Sequence, residues 1–197
     1  MASLHLALEI LHNKYSVPHV VISSIPLEPW LISVLPSSIR PQADSSYLIC
    51  ISSSRQDLQA PFDVKKTVVH AQCVPLIPGY YAGVGDLFSA LLLAHFYPNE
   101  TPPNAAVTPL SQAVSQALTK THAIIQITHG QSQSLPEEER QPTDDELDEK
   151  EPTRRTKRMR GRELALVKGQ DIVRGVGIKH TREMKIWEGF WDTQQVS

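Results

Sequence analysis

Between Pro78 and Phe96 the chain reads PGYYAGVGDLFSALLLAHF, in which Gly83, Val84 and Gly85 run straight into Asp86 and a nearly unbroken apolar stretch. Without β-carbons at Gly83 and Gly85 the backbone can turn sharply and aim successive N–H groups at one point, at the positive end of the helix that follows. That is the chemistry of an anion hole for a phosphate. Asp86 is a poor phosphate ligand, since like charges repel. Its sensible role is to accept a proton from an alcohol that attacks the phosphate while the neighbouring N–H groups hold the transferred group. The same residues also suit a plain turn with Asp86 as N-cap, and a four-residue glycine motif recurs by chance.

Other chemistry is sparse. Cys50 and Cys73 stand far apart in apolar runs with no C-x-x-C spacing, which suggests neither a disulfide framework nor a zinc site and fits a reduced intracellular compartment. The eight histidines form no H-x-x-H or H-x-x-x-H pair, and His70, His95 and His122 read as surface or tolerated core positions. A net charge of −2 gives no basic field, so small solutes or proteins are expected partners before nucleic acid. No run of 18 apolar residues and no basic leader predicts a membrane span or secretion signal.

The elements that must position the turn can be read from periodicity. Leu4, Ala7, Leu8 and Leu11 recur at helical spacing, predicting an amphipathic helix that ends near Tyr15. HVVISSI after Pro18 is a β-branched run without polar alternation, as for a strand covered on both faces in a parallel sheet, with Ser23 and Ser24 at its carboxyl end. Residues 46–52 and 67–77 predict two more strands, the second interrupted by Pro75. Residues 86–96 are apolar almost all round and should lie deep against the sheet, and a helix over 108–128 carries the stripe Leu110, Val114, Leu118, Ile125.

Composition changes at Gln131: nine of the 21 acidic residues fall between Glu137 and Glu151, and six of the 19 basic ones between Arg154 and Arg162. Such a segment buries little apolar surface, so 131–161 is expected to be a disordered, charge-blocked insertion. The basic run could serve nuclear import or nucleic-acid contact, but the acidic block beside it favours a self-paired solvated loop. After it, ELALVKGQDIV predicts a last edge strand and turn, and Trp187, Phe190 and Trp191 either a packed cap or an adherent arm. One folded domain is expected: 1–130 as its main part, carrying the glycine turn, 131–161 as the insertion, 162–197 as its closing strand and tail.

Four collinear stretches resemble the ribokinase-like superfamily, and within it the pyridoxal kinases. The span from Gly83 is similar to their G-T-G-D-L-F-A-A-L-L-L-A, departing only at Val84 and Ser89. VPHVVISSIPL resembles the strand whose Thr-Ser or Ser-Ser pair contacts the nucleotide, SSYLICISSSR the strand after it, and RELALVKGQDI, from Arg162, the closing R-E-L-R-L-V-Q segment. The resemblance implies an α/β fold, a ribokinase-like sheet sandwiched by helices and incomplete here. The family's substrate-gripping residues, lid and first strands lie ahead of the segment matching HVVISSI, so an open sheet edge and exposed apolar surface are expected.

The implied activity is ATP-dependent phosphorylation of the 5′-hydroxymethyl group of pyridoxal and its relatives, in vitamin B6 salvage, with Mg2+ and a monovalent cation such as K+. By the same resemblance Asp86 is the general base, Gly83, Val84 and Gly85 form the anion hole, and Ser23 and Ser24 contact the nucleotide. Phe88, Val114 and Leu118 line the adenine pocket or are ordinary core. Val84 replaces a threonine whose hydroxyl would reach the phosphates, which predicts impairment and not abolition. A homodimer and a cytoplasmic location, with nuclear entry through the basic run, complete the expectation. Two alternatives stand beside it: another vitamin kinase of the superfamily, such as a hydroxymethylpyrimidine kinase, and a non-catalytic interaction protein derived from a kinase half.

Overall fold

The computed structural model describes residues 1–42, 46–55, 67–101, 104, 106–140 and 145–192. The chain divides into two compact units, one of residues 1–76, 94–116 and 182–197, the other of 77–93 and 117–181.

The first unit opens with helix α1 (Ala2–Glu9), continued by a wider π turn over Ile10–Lys14. Strand β1 (His19–Pro26) follows, then a short helix α2 (Pro29–Val34), strands β2 (Tyr47–Arg55) and β3 (Thr67–Pro75), and near the end of the chain β4 (Lys185–Ile186). The sheet order is β1-β2-β3-β4 and every pairing is antiparallel, with Tyr47 opposite Pro75 and Arg55 opposite Thr67. The expected parallel pairing is therefore corrected. An unbroken apolar run reports that both faces are covered and says nothing of direction. It is β2, buried from Ile49 to Ser54, that is doubly covered, while β1 is an edge strand exposed at Ser23 and Ser24.

One sheet face carries Ile49, Ile51, Val69, Ala71 and Cys73 into a core with Leu8 of α1, Leu31 of α2, and Trp187 and Phe190. The aromatic tail is thus a packed cap: Trp187 donates its backbone N–H to Val69 at 2.8 Å, and its ring meets Phe190 edge-on at 5.1 Å between centroids. Trp and Phe bury more apolar area per residue than any other side chains, so this cap is a main source of the unit's stability. Buried histidines tie the sheet to its flanks. His12 Nδ1 donates to the Val17 carbonyl at 2.7 Å, leaving Nε2 to accept from the Ser53 hydroxyl at 2.8 Å. His19 pairs with Ser54 at 2.7 Å, and His70, fully buried, reaches the Ala106 carbonyl at 2.9 Å.

Helix α3 (Val84–His95) begins in the second unit, and α4 (Pro109–Gln133) ends in it. Of α3 only Phe88 and Leu91 are buried, and Leu93 is 76 % exposed, so the expectation of a deeply covered helix is corrected: apolar composition does not itself supply a second covering surface. The α4 stripe holds at Leu110, Val114 and Leu118, with Ile124 fully buried in place of the half-buried Ile125. Gly169 lets the closing segment approach α4, since a β-carbon there would stand 2.0 Å from Ile124 Cδ1. Lys120 reaches across to the Val173 carbonyl at 2.8 Å, near the end of a one-turn helix at Gln170–Val173.

Two sequence expectations fail here. ELALVKGQDIV forms no strand: Glu163 makes one isolated bridge to Ala82, and the rest is turn and helix. The described part of 131–161 is not irregular but largely helical, with α5 (Asp145–Lys150) and α6 (Pro152–Arg160). The physical reason is self-pairing. Asp148 accepts from Arg154 at 3.3 Å and from both terminal nitrogens of Arg158, one at 2.8 Å; the Arg158 hydrogen bond holds the Asp148 carboxyl below the ordinary carboxylate range. Lys157 pairs with Glu138 at 3.3 Å and Arg160 with Glu139 at 3.6 Å. Opposite charges in adjacent blocks supply the hydrogen bonds that composition alone cannot promise. Residues 141–144 of that segment lie outside the described residues. No helix of the described residues is long and apolar enough to cross a membrane.

Candidate phosphate-binding turn and nucleotide site

The turn is held in place from both sides. Upstream, the Tyr81 hydroxyl donates to the Pro78 carbonyl and lies 2.7 Å from His129 Nδ1 on α4. Ala82 N–H then donates to the Arg162 carbonyl at 2.8 Å, beside the Ala82 to Glu163 bridge, so the segment that begins at Arg162 fixes the backbone entering Gly83. Residues 78–81, with Ser132, Arg140 and Arg162, border a cleft of about 400 Å³.

Gly83 has φ +80°, a conformation that costs a residue with a β-carbon, and a β-carbon built at Gly83 or Gly85 would meet nothing within 4 Å. The space over the turn is open. Leu87 is the first residue whose N–H closes back into α3, on the Gly83 carbonyl at 3.0 Å; helix geometry leaves the preceding N–H groups without intrahelical acceptors. Asp86 is exposed in that first turn. Because α3 starts at Val84, Asp86 is its third residue and not its N-cap, so a simple cap does not account for the carboxylate. It still gains from the positive helix end. Val84 is half-buried and brings no hydroxyl to this place.

Ser23 and Ser24 do not end β1 as expected, since the strand continues to Pro26. Ile22 pairs with Ile51 and Ile25 with Ile49, so the two serines together oppose Cys50: they are a β-bulge. Ser24 has φ +61°, in the left-handed region that residues other than glycine avoid, and both side chains are exposed. Bulges re-aim side chains and collect near active sites, and a strained serine there is the kind of cost that functional sites carry.

Phe88, Val114 and Leu118 are all buried, at 8 %, 0 % and 8 % exposure. The serines and Val114 fall in the first unit, and Gly83 to Asp86, Phe88 and Leu118 in the second. Sequence reasoning missed Arg162 and Tyr81 as supports of the turn. Arg162 opens a segment already singled out, and Tyr81 immediately precedes the motif. Among the described residues no three His, Cys, Asp or Glu side chains gather as a metal site.

No family model matches the chain. It is 34% identical over 143 residues to a fission yeast protein (Schizosaccharomyces pombe) described as "Putative pyridoxal kinase", a match that covers 71% of this chain and 39% of that one. Among solved structures, pyridoxal kinase from Leishmania donovani in complex with ADP and ginkgotoxin superposes with TM-score 0.57 at 20% identity, covering 94% of this chain and 44% of that one. Pyridoxal kinase from Trypanosoma brucei gives 0.53 at 20% with the same coverage, and a Bacteroides thetaiotaomicron protein described as a "putative phosphomethylpyrimidine kinase" 0.52 at 14%, covering 94% and 43%. The chain therefore spans less than half the length of these relatives. By sequence and by fold, it is a relative of the pyridoxal kinases and carries part of the ribokinase-like α/β fold.

Proposed function

We propose that this chain supplies the nucleotide-binding and catalytic part of an ATP-dependent kinase for the 5′-hydroxymethyl group of pyridoxal. The observation that carries the reading is the open, left-handed Gly83 turn at the start of α3, with the exposed Asp86 in its first turn. The N–H groups of Gly83, Val84 and Gly85 would hold the phosphoryl group in flight, and the Asp86 carboxylate would take the proton of the attacking alcohol. Ser23 and Ser24, turned outward by the bulge, would donate to the nucleotide. Phe88, Val114 and Leu118 would belong to the adenine pocket, as the family resemblance implies. Positioning and electrostatics do most of the work in phosphoryl transfer, so a preformed turn is what the reaction needs.

The Leishmania relative was solved with ADP, which supports ATP as the donor. Magnesium would be held mainly by the nucleotide phosphates and water, as it commonly is in such sites, which leaves the Asp86 carboxylate free to act as the base. Bound there, it would neutralise charge developing on the phosphates. A potassium ion, homodimerisation and a cytoplasmic location remain part of the same proposal. A second substrate, a hydroxymethylpyrimidine, is favoured by the fold shared with the Bacteroides kinase.

Calorimetry on the full chain with Mg-ATP tests the reading. Millimolar or tighter binding that is weakened by Ser24→Ala is the expected result. A folded sample that gives neither heat nor a thermal shift with Mg-ATP would overturn the nucleotide assignment, and phosphorylation of hydroxymethylpyrimidine in preference to pyridoxal would move the substrate to the second reading.

A further inference from the structure

The two glycines that give the turn its shape also leave it loose. A glycine loses more backbone freedom on being ordered than any other residue, and a β-carbon at Gly83 or Gly85 would meet nothing within 4 Å, so packing over the turn does not hold it. An anion hole works only when its N–H groups are in place before the charge arrives. The restraint must therefore come from the flanks. Downstream it is α3. Upstream, the Ala82 N–H on the Arg162 carbonyl at 2.8 Å holds the last peptide before Gly83, and one residue earlier the restraint passes to a side chain, that of Tyr81.

The Tyr81 phenol stands among groups of its own unit. It donates to the Pro78 carbonyl at 2.7 Å, closing the loop on itself. Gly79, at φ +116°, permits this, because a β-carbon there would stand 3.0 Å from the Tyr81 hydroxyl oxygen. His129 Nδ1, near the end of α4, lies 2.7 Å from the same oxygen, with the two rings edge-on at 6.4 Å between centroids. A phenol carries one hydrogen and a carbonyl none. With that hydrogen given to Pro78, the contact with His129 requires a proton on Nδ1, and the phenol oxygen accepts it. Ser132 also adjoins the phenol and opposes the rise that burial brings to its pKa. The Ser132 hydroxyl hydrogen goes to the His129 carbonyl at 2.8 Å, which leaves His129 as the donor.

We propose that His129, protonated on Nδ1, and Tyr81 are a positioning pair that presets the Gly83 turn for its anion, so that the end of α4 helps to set phosphate affinity. Both act through the backbone and not on the phosphate. The hydroxyl holds the loop from Pro78 to Tyr81 onto α4, and the glycines that follow then start from one fixed peptide. Ordering achieved in advance is ordering that binding does not have to offset. The inference rests on the reading of the turn as an anion hole.

The isotope-labelled full chain tests it. In a long-range 15N–1H spectrum at alkaline pH, where an imidazole is neutral, His129 is expected to carry its proton on Nδ1; a proton on Nε2 overturns the pair. Tyr81→Phe keeps the ring and removes the hydroxyl. It should raise the mobility of the Gly83, Val84 and Gly85 amides in 15N relaxation and weaken Mg-ATP binding in calorimetry by roughly threefold to tenfold, the loss of one hydrogen bond, with the melting temperature nearly unchanged. His129→Leu should match it, and the double variant should be no weaker than either alone. His129→Asn, whose amide N–H can stand in for Nδ1–H, should retain most of the affinity. A lowered melting temperature with unchanged amide mobility, or unchanged affinity in a chain that binds Mg-ATP, would mean that the two side chains only pack, and overturns the proposal. Raised amide mobility in the variants of a chain that ignores Mg-ATP would leave the pair standing while the kinase reading fell.

Discussion

Asp86 is where two chemistries separate most cleanly. In an active protein formed by joining this chain to the amino-terminal part of a pyridoxal kinase, Asp86→Asn should lower phosphorylation of pyridoxal by about 10²- to 10⁴-fold and leave ATP affinity nearly unchanged, as expected for loss of a general base. Full turnover with a lowered melting temperature would instead make the carboxylate a partner of the helix dipole. Val84→Thr in the same protein should raise turnover if a hydroxyl at that place assists the transferring phosphate, and steady-state kinetics would show it. Ser24 offers a complementary test, because its left-handed backbone costs roughly 1 kcal/mol or more for a residue with a β-carbon. Ser24→Gly should raise stability by about 0.5–1 kcal/mol in urea unfolding while weakening nucleotide binding. A destabilised Ser24→Gly protein would show that the serine is held for structure.

At the scale of elements, Gly169 is the glycine of the second unit with least room for a β-carbon. Gly169→Ala would drive a methyl group into Ile124 Cδ1, so that this fully buried side chain must shift to another rotamer, and a loss of about 1–3 kcal/mol is expected in chemical denaturation. How much was legible follows from what each element depends on. The first helix and the strands at His19, Tyr47 and Thr67 were readable because local periodicity and β-branched runs determine them, and Pro75 marked the end of β3. Short helix α2 was missed although Pro29 sits in its first turn, a signal available in the sequence. Strand direction was not legible, since burial of a run is the same for either sense. The helices of the charged segment depend on Asp148 finding Arg154 and Arg158, which no composition window reports. At the site, the glycine motif was visible outright. The bulge at Ser23 and Ser24 was not, because it exists only in the register against Cys50.

Across the whole molecule, buried histidines link stability to acidity. Burial lowers His12, His19 and His70 from their ordinary value of 6.5, so the folded state prefers them neutral while the unfolded chain takes up protons more readily. The unfolded state then binds more protons below that value, and stability should be full above about pH 6.5 and decline as pH falls through the window down to the depressed folded-state values. Melting temperature followed from pH 7.5 to 5 tests this. A flat profile would mean that the three rings gain compensating partners on protonation. Groups facing them include the Val17 and Ala106 carbonyls, which accept hydrogen bonds, the Ser53 and Ser54 hydroxyls, Arg55, whose charge opposes protonation of His12, and His12 itself, whose charge opposes protonation of His19.

The serine bulge also has a consequence for solubility. β1 is an edge strand, and a flat edge is a template on which a second molecule can add its own strand. Two residues opposite one break the outward row of N–H and C=O groups just where pairing would propagate. Deleting Ser24 would restore a regular ladder, since Ile22 and Ile25 already face Ile51 and Ile49 and would keep those partners. The shortened protein should therefore fold but scatter light at concentrations where the parent stays clear. In that sense the bulge is a guard against self-templating as well as a mount for two hydroxyls.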